Sequence, residues 1–220
     1  DESHYHYWSP KSQQLVREVM GPKLTLEVSA TPKLVASPDQ LFHEEQGYVS
    51  VLFDQVVDEG MIKREVIINK EIGKYSDFSQ VADEAILSAA LEQRSELAEK
   101  YEKAGVAVNP LLLIQLPSES ESTSALDKTK LEQVEDFLRE KHNISVNNGL
   151  LGVWLSERKD NIDDISAPDN EVEVLIFKQA IALGWDCPRA QILVMFREIR
   201  SVTFEIQTVG RILRMPEAKH

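Results

Sequence analysis

From about residue 110 onward the hydrophobic positions alternate between short continuous runs and helical stripes. Leu111 to Leu116 is almost wholly apolar, as suits a strand buried on both faces of a parallel sheet, and Pro117 ends it. Leu131, Val134 and Leu138 then form one stripe of a helix over Leu126 to Lys141. Further strands are expected at Leu151 to Leu155, Val172 to Phe177 and Ile192 to Phe196. A helix-length segment containing Gly184 separates the last two, and a final helix is expected from about Val202 to Leu213. The alternation predicts an α/β domain over 110–220.

The pattern before residue 110 is different. A helix is expected over Lys11 to Met20 and a short strand over Leu24 to Val28, with Pro38 and Asp39 marking a link. Val49, Val51 and Phe53, then Val66, Ile67 and Ile68, flank Asp58-Glu59-Gly60, which predicts a hairpin. Asp77 to Lys103 carries Val81, Ala85, Ile86, Ala89, Leu97 and Tyr101 at helical spacing. Asp77 and Gln80 are set like a capping box, and Gly105 stands as the stop.

Hydrophobic residues make up 42% and charged residues 28% of the 220, which excludes collagen-like and wholly disordered classes. No apolar run is long enough to span a membrane and no leader is visible, so a cytoplasmic protein is expected. Cys187 alone cannot cross-link the fold. The net charge of −13 argues against a polyanionic partner until its distribution is read. Leu175 to Pro216 holds six basic residues (Lys178, Arg189, Arg197, Arg200, Arg211, Arg214) against three acids. Local potential governs phosphate binding, so a basic C-terminal quarter is retained as a candidate. Glu157 to Glu173, with seven acids and two bases, reads as a solvated loop.

Four short stretches carry chemistry. Asp1-Glu2-Ser3-His4 opens the chain, Ser29-Ala30-Thr31 follows the expected strand, Gly184-Trp185-Asp186 comes late, and Gln207-Thr208-Val209-Gly210-Arg211-Ile212-Leu213-Arg214 comes near the end. In this order they resemble motifs II, III, V and VI of superfamily 2 helicases and translocases. ATP hydrolysis needs a carboxylate for Mg²⁺, a second to orient water, and cations for the γ-phosphate charge. The spacing places Arg211 and Arg214 about one helical turn apart on the same face, so both guanidiniums can address one phosphate group. Within that superfamily the Phe177-Lys178-Gln179-Ala180 to Pro188 stretch, the Gln207 to Pro216 ending, the Leu111 to Pro117 strand and the hairpin around Gly60 are similar to the restriction subunit of type III restriction-modification enzymes.

The resemblance implies a RecA-like parallel sheet flanked by helices over 110–220, the second motor lobe. Residues 1–38 would be the end of the first lobe, and 39–109 a hairpin-plus-helix insertion. It implies Asp1 as the Mg²⁺ ligand, Glu2 as the base, and Arg211 and Arg214 as catalytic cations. His4, Gly184, Asp186, Gln207 and Gly210 would contact ATP, Asp186 by reaching a nucleotide hydroxyl or by holding the arginines. Ser29 and Thr31 would couple the nucleotide state to the DNA track. Lys178, where the family more usually has threonine, would meet a DNA phosphate. Partners would be double-stranded DNA and methyltransferase subunits, with cleavage by a separate nuclease domain.

No Gly-x-x-x-x-Gly-Lys-Ser/Thr occurs, so these 220 residues alone are expected to lack appreciable ATPase or nuclease activity. The alternative is a RecA-like module that binds DNA or a partner without hydrolysis. A third reading takes His4, His6 and Asp1 as a metal site. Trp185 and Cys187 read as core packing.

Overall fold

The computed structural model describes residues 9–28, 49–64, 82–117, 124–178 (main chain only at 124–129), 185–196, 209–210 and 212–216. The chain divides into two units, Asp1–Leu52 and Phe53–His220.

In the first unit Ser9 caps helix α1 (Pro10–Gln14), its hydroxyl accepting from Ser12 N at 3.3 Å, with Pro10 in the first turn where a missing N–H costs nothing. The helix widens to a π-helical turn over Leu15–Met20 and stops at Gly21, φ +51°. This matches the helix expected there. The strand expected over Leu24 to Val28 does not form: Leu24 and Leu26 are 85% and 83% exposed, with no ladder partner among the described residues. Apolar alternation makes a strand only where a neighbour takes up its N–H and C=O groups.

The expected hairpin is also replaced. Phe53–Asp58 is a helix, α2. Gly60, φ +69°, ends it as the left-handed residue of a Schellman cap: Met61 N bonds Val56 O at 3.2 Å and Gly60 N bonds Val57 O at 2.9 Å. A glycine after two acids fits a hairpin turn and a helix stop equally well, and the local hydrogen bonds chose the stop. Val66, Ile67 and Ile68 lie outside the described residues. Beyond the cap, residues 61–63 pair with 213–215 instead, through an antiparallel bridge between Ile62 and Arg214.

Helix α3 (Ala82–Ala104) ends at Gly105, φ +67°, with the same double cap, Gly105 N to Glu102 O and Val106 N to Tyr101 O, both 3.0 Å. There follow β1 (Leu111–Gln115), α4 (Ser124–His142), β2 (Leu151–Trp154), β3 (Lys159–Asp160), β4 (Val174–Phe177) and β5 (Ala190–Met195). The sheet order is β3-β2-β4-β1-β5. β1 runs parallel to β4 and β5, β2 runs parallel to β4, and only the short β3 is antiparallel. This is a RecA-like α/β sheet flanked by helices.

Period-2 alternation divides the core cleanly in two. On one face Leu112, Ile114, Leu116, Val174 and Ile176 meet the stripes Leu87, Ala90, Leu91 of α3 and Val134, Phe137, Leu138 of α4. On the other, Leu111, Leu113, Leu175 and Phe177 meet Ile165, Val172 and Cys187, with Trp154, Trp185 and Ile212 at the margin. The acidic stretch 157–173 therefore departs from a purely solvated loop. Its charges sit on the rim, while Ile165 and Val172, 3% and 4% exposed, cover the second face.

Candidate functional site

The most deeply held charges lie at the amino edge of the sheet. Arg189, 1% exposed, immediately precedes β5. It donates from Nε to Ile165 O (2.7 Å), from Nη1 to Asn109 O and Val172 O (both 2.9 Å), and from Nη2 to Asn170 Oδ1 (3.2 Å). Burial pulls its pKa down to about 10, so the guanidinium stays charged at neutral pH. Arg94, on the buried stripe of α3, donates to Pro110 O at 3.1 Å and to Asn109 Oδ1, and pairs with Glu173 at 3.2 Å. The two arginines tie the starts of β1, β4 and β5 to α3. Arg189 therefore leaves the basic patch expected from the sequence, because its donors are spent inside the fold.

At the carboxyl edge β1 and β4 stay in register to their last residues. Leu116 N bonds Phe177 O at 2.9 Å, Phe196 N bonds Gln115 O at 2.9 Å, and the buried Gln115 amide donates to Lys178 O at 3.4 Å. Lys178, half-buried, is thereby delivered at the end of β4, where open α/β sheets commonly gather ligands. Past the end of β5, the Lys130 ammonium lies 4.1 Å from the centre of the Phe196 ring and pairs with Asp83 of α3.

The remaining described site residues assemble elsewhere. Asp186 lies four positions ahead of β5, among residues that cover the second face of the sheet, and Arg214 Nη1 meets its Oδ1 at 2.5 Å. Both side chains keep solvent access, 44% for Arg214 and 60% for Asp186. Val209, Gly210 and Ile212 are helical, but the helix has ended before Arg214. Lys63 N bonds Leu213 O at 2.7 Å and Met215 N bonds Met61 O at 3.3 Å, so Arg214 stands on a two-stranded bridge. Asp186 precedes β5 and so lies toward the amino end of that strand, whereas Lys178 follows the carboxyl end of β4. One expectation is corrected: Arg214 does not continue the helix of Gly210, as a helical face shared with Arg211 required, because its backbone pairs with residues 61–63.

Lys63 is the residue that motif reading missed. Its ammonium donates to Ile212 O, at the end of the helical turn that precedes Arg214. Burial lowers its pKa to about 8, against a smaller opposing effect from Cys187. The only sequence signal was a lysine directly after Met61-Ile62. Cys187 is buried, its thiol pushed up chiefly by burial and held neutral, and Trp185 packs edge-on to Trp154 with ring centres 6.2 Å apart. Both belong to the packing of the second face, as expected. Asp1, Glu2, His4, His6, Ser29, Thr31, Gly184, Gln207 and Arg211 lie outside the described residues. An open groove of about 460 Å³ lies against α4, lined by Glu135, Asp136, Arg139 and Arg158 among others, and contains none of the residues singled out above.

Residues 118–216 match the family described as Helicase conserved C-terminal domain. No curated protein matches the chain. The match and the sheet together support a superfamily 2 helicase C-terminal lobe, a helicase-like nucleic-acid motor module of the helicase and ATPase class. Among the described residues no helix is long and apolar enough to cross a membrane.

Proposed function

We propose that this chain is part of the ATP-dependent motor of a type III restriction endonuclease. In this reading it couples ATP hydrolysis to movement along double-stranded DNA before a separate nuclease domain cuts, in an assembly with methyltransferase subunits. The observation that carries it is the Asp186–Arg214 ion pair inside the segment matching the helicase C-terminal domain. An arginine held by one accessible carboxylate keeps donors of its planar fork for a phosphate. The two stations of the lobe suit two ligands. Lys178 at the carboxyl edge serves as a point charge for a DNA phosphate. Asp186, Gly210, Arg214 and, by resemblance, Gly184, Gln207 and Arg211 serve the nucleotide.

By the same resemblance Asp1, with His4 beside it in sequence, would hold Mg²⁺ through water and Glu2 would take the proton from the attacking water. The hard oxygen donors of Asp1 and Glu2 fit that cation. Bound Mg²⁺ supplies charge neutralisation at the phosphates. Ser29 and Thr31 would report the nucleotide state to the DNA track. The test is Glu2→Gln in the full-length protein, where positioning survives and proton acceptance does not. ATP should remain bound through gel filtration while turnover falls by about 10² or more. Turnover at the wild-type rate would overturn the reading.

A further inference from the structure

Lys63 belongs to no motif and lies 149 positions from the carbonyl it grips. We propose that Lys63 is a positioning residue for Arg214: the Lys63 ammonium closes the helical turn at Ile212 O while the bridge of 61–63 with 213–215 sets the backbone that aims Arg214 at Asp186. The inference rests on the ATPase reading above and assigns a regulatory part of the same site. Three observations meet at this point. The bridge fixes residues 213–215 by main-chain bonds on both sides of Arg214, from Lys63 N to Leu213 O and from Met215 N to Met61 O. The side chain of the same lysine takes the carbonyl next in line, which the helix leaves without an intrahelical donor. A cation at that end also complements the negative pole of the helical turn.

A neutral side chain in the same place would leave a helix-end carbonyl without its charged donor, and the turn carrying Arg214 would lose one of its three ties. Arg214 would then sample positions off Asp186, and an arginine displaced by about 1 Å loses much of its effect on a phosphoryl transition state. The groups facing the ammonium are few among the described residues. Cys187 approaches from the segment before β5 and is itself held neutral by burial, and its neighbour Asp186 is engaged by Arg214. Neither supplies a carboxylate dedicated to Lys63, so burial dominates and its charge is lost as pH rises through about 8. The sign follows: the positioned, charged form prevails at pH 7, and most of it is gone by pH 9.

The experiment uses the full-length protein with ATP and a linear duplex DNA, comparing wild type, Lys63→Met, Lys63→Arg and Arg214→Ala. Lys63→Met, which keeps an unbranched apolar stem, should lower kcat about tenfold at pH 7 and leave KM for ATP within about twofold, as expected for a group acting on the transition state through Arg214. Wild-type kcat should fall about fivefold from pH 7 to pH 9 as a single group near 8 titrates toward the Lys63→Met level. Lys63→Arg, charged throughout, should keep wild-type turnover at pH 7 and lose that fall. A folded Lys63→Met with wild-type kcat, beside an inactive Arg214→Ala, would overturn the inference and leave the ATPase reading standing. Wild-type turnover by Arg214→Ala would overturn both. Should Lys63→Met fail to fold, the Lys63→Arg profile decides: a flat profile supports the inference, and a fall parallel to wild type refutes it.

Discussion

Replacing Arg189 by methionine should lower the unfolding free energy of the lobe by about 3 to 5 kcal/mol. The reason lies in what the guanidinium satisfies. Ile165 O, Asn109 O, Val172 O and Asn170 Oδ1 all accept from it within 3.2 Å. Three of these are main-chain carbonyls, which no side-chain substitution removes. Each acceptor left buried and unmatched costs about 1 to 3 kcal/mol. Relief of the buried charge offsets part of that, which keeps the net loss below the simple sum. Buried ion pairs elsewhere are replaceable by apolar residues when every polar member is replaced together; here the partners belong to the backbone. The variant Arg189→Lys keeps the charge but not the shape, since one ammonium cannot span acceptors distributed around a planar fork, and it should recover less than half of the loss. Urea denaturation followed by circular dichroism measures both. A loss under about 1 kcal/mol for Arg189→Met would contradict this account of the amino edge.

Arg214→Ala should separate activity from stability. Its partner Asp186 is 60% exposed and Arg214 itself 44%, so the pair contributes at most about 1 kcal/mol to the fold. The bridge to Ile62 is made by main-chain atoms and survives truncation of the side chain. If Arg214 meets the developing charge on the transferred phosphoryl group, however, its removal should lower kcat by about 10³. Single-turnover hydrolysis by the full-length protein at saturating ATP, with a thermal melt of the same sample, reads both quantities. The expected pair of results is a melting temperature within about 2 °C of wild type and a thousandfold loss of rate. Loss of both together would assign Arg214 to the core of the fold and not to catalysis.

The sheet was legible in the sequence because β1 and β4 are buried throughout, β2 nearly so and the edge strand β5 in part, and all read as short apolar runs, while α3 and α4 show a stripe and α3 ends in a recognisable stop. Gly105 fulfils its expected role for a local reason, a positive φ that needs no tertiary information. Gly60 shows the limit of such reasoning: its left-handed conformation was foreseeable, but whether it turned a hairpin or capped a helix depended on whether residues 61–63 would find a partner, and they found one about 150 positions away. Leu24 to Val28 failed as a strand for the converse reason, since alternation alone supplies no neighbour. At the site, Asp186 and Arg214 were named from their motifs and meet in the structure. Their meeting depends on the pairing of Arg214 with residues 61–63, which residue types alone do not fix. Arg189 looked like surface charge because burial of a guanidinium among carbonyls leaves no mark in composition, and Lys63 stayed hidden because its acceptor is a backbone atom.

The central claim, that this lobe works in a DNA-driven ATPase, is tested most directly by ATP turnover of the full-length protein with and without double-stranded DNA. The account predicts hydrolysis stimulated about tenfold or more by DNA and weakened by added salt, as phosphate contacts at the carboxyl edge require. A folded protein that binds duplex DNA yet hydrolyses no ATP under either condition would contradict it and leave a nucleic-acid-binding module without a motor.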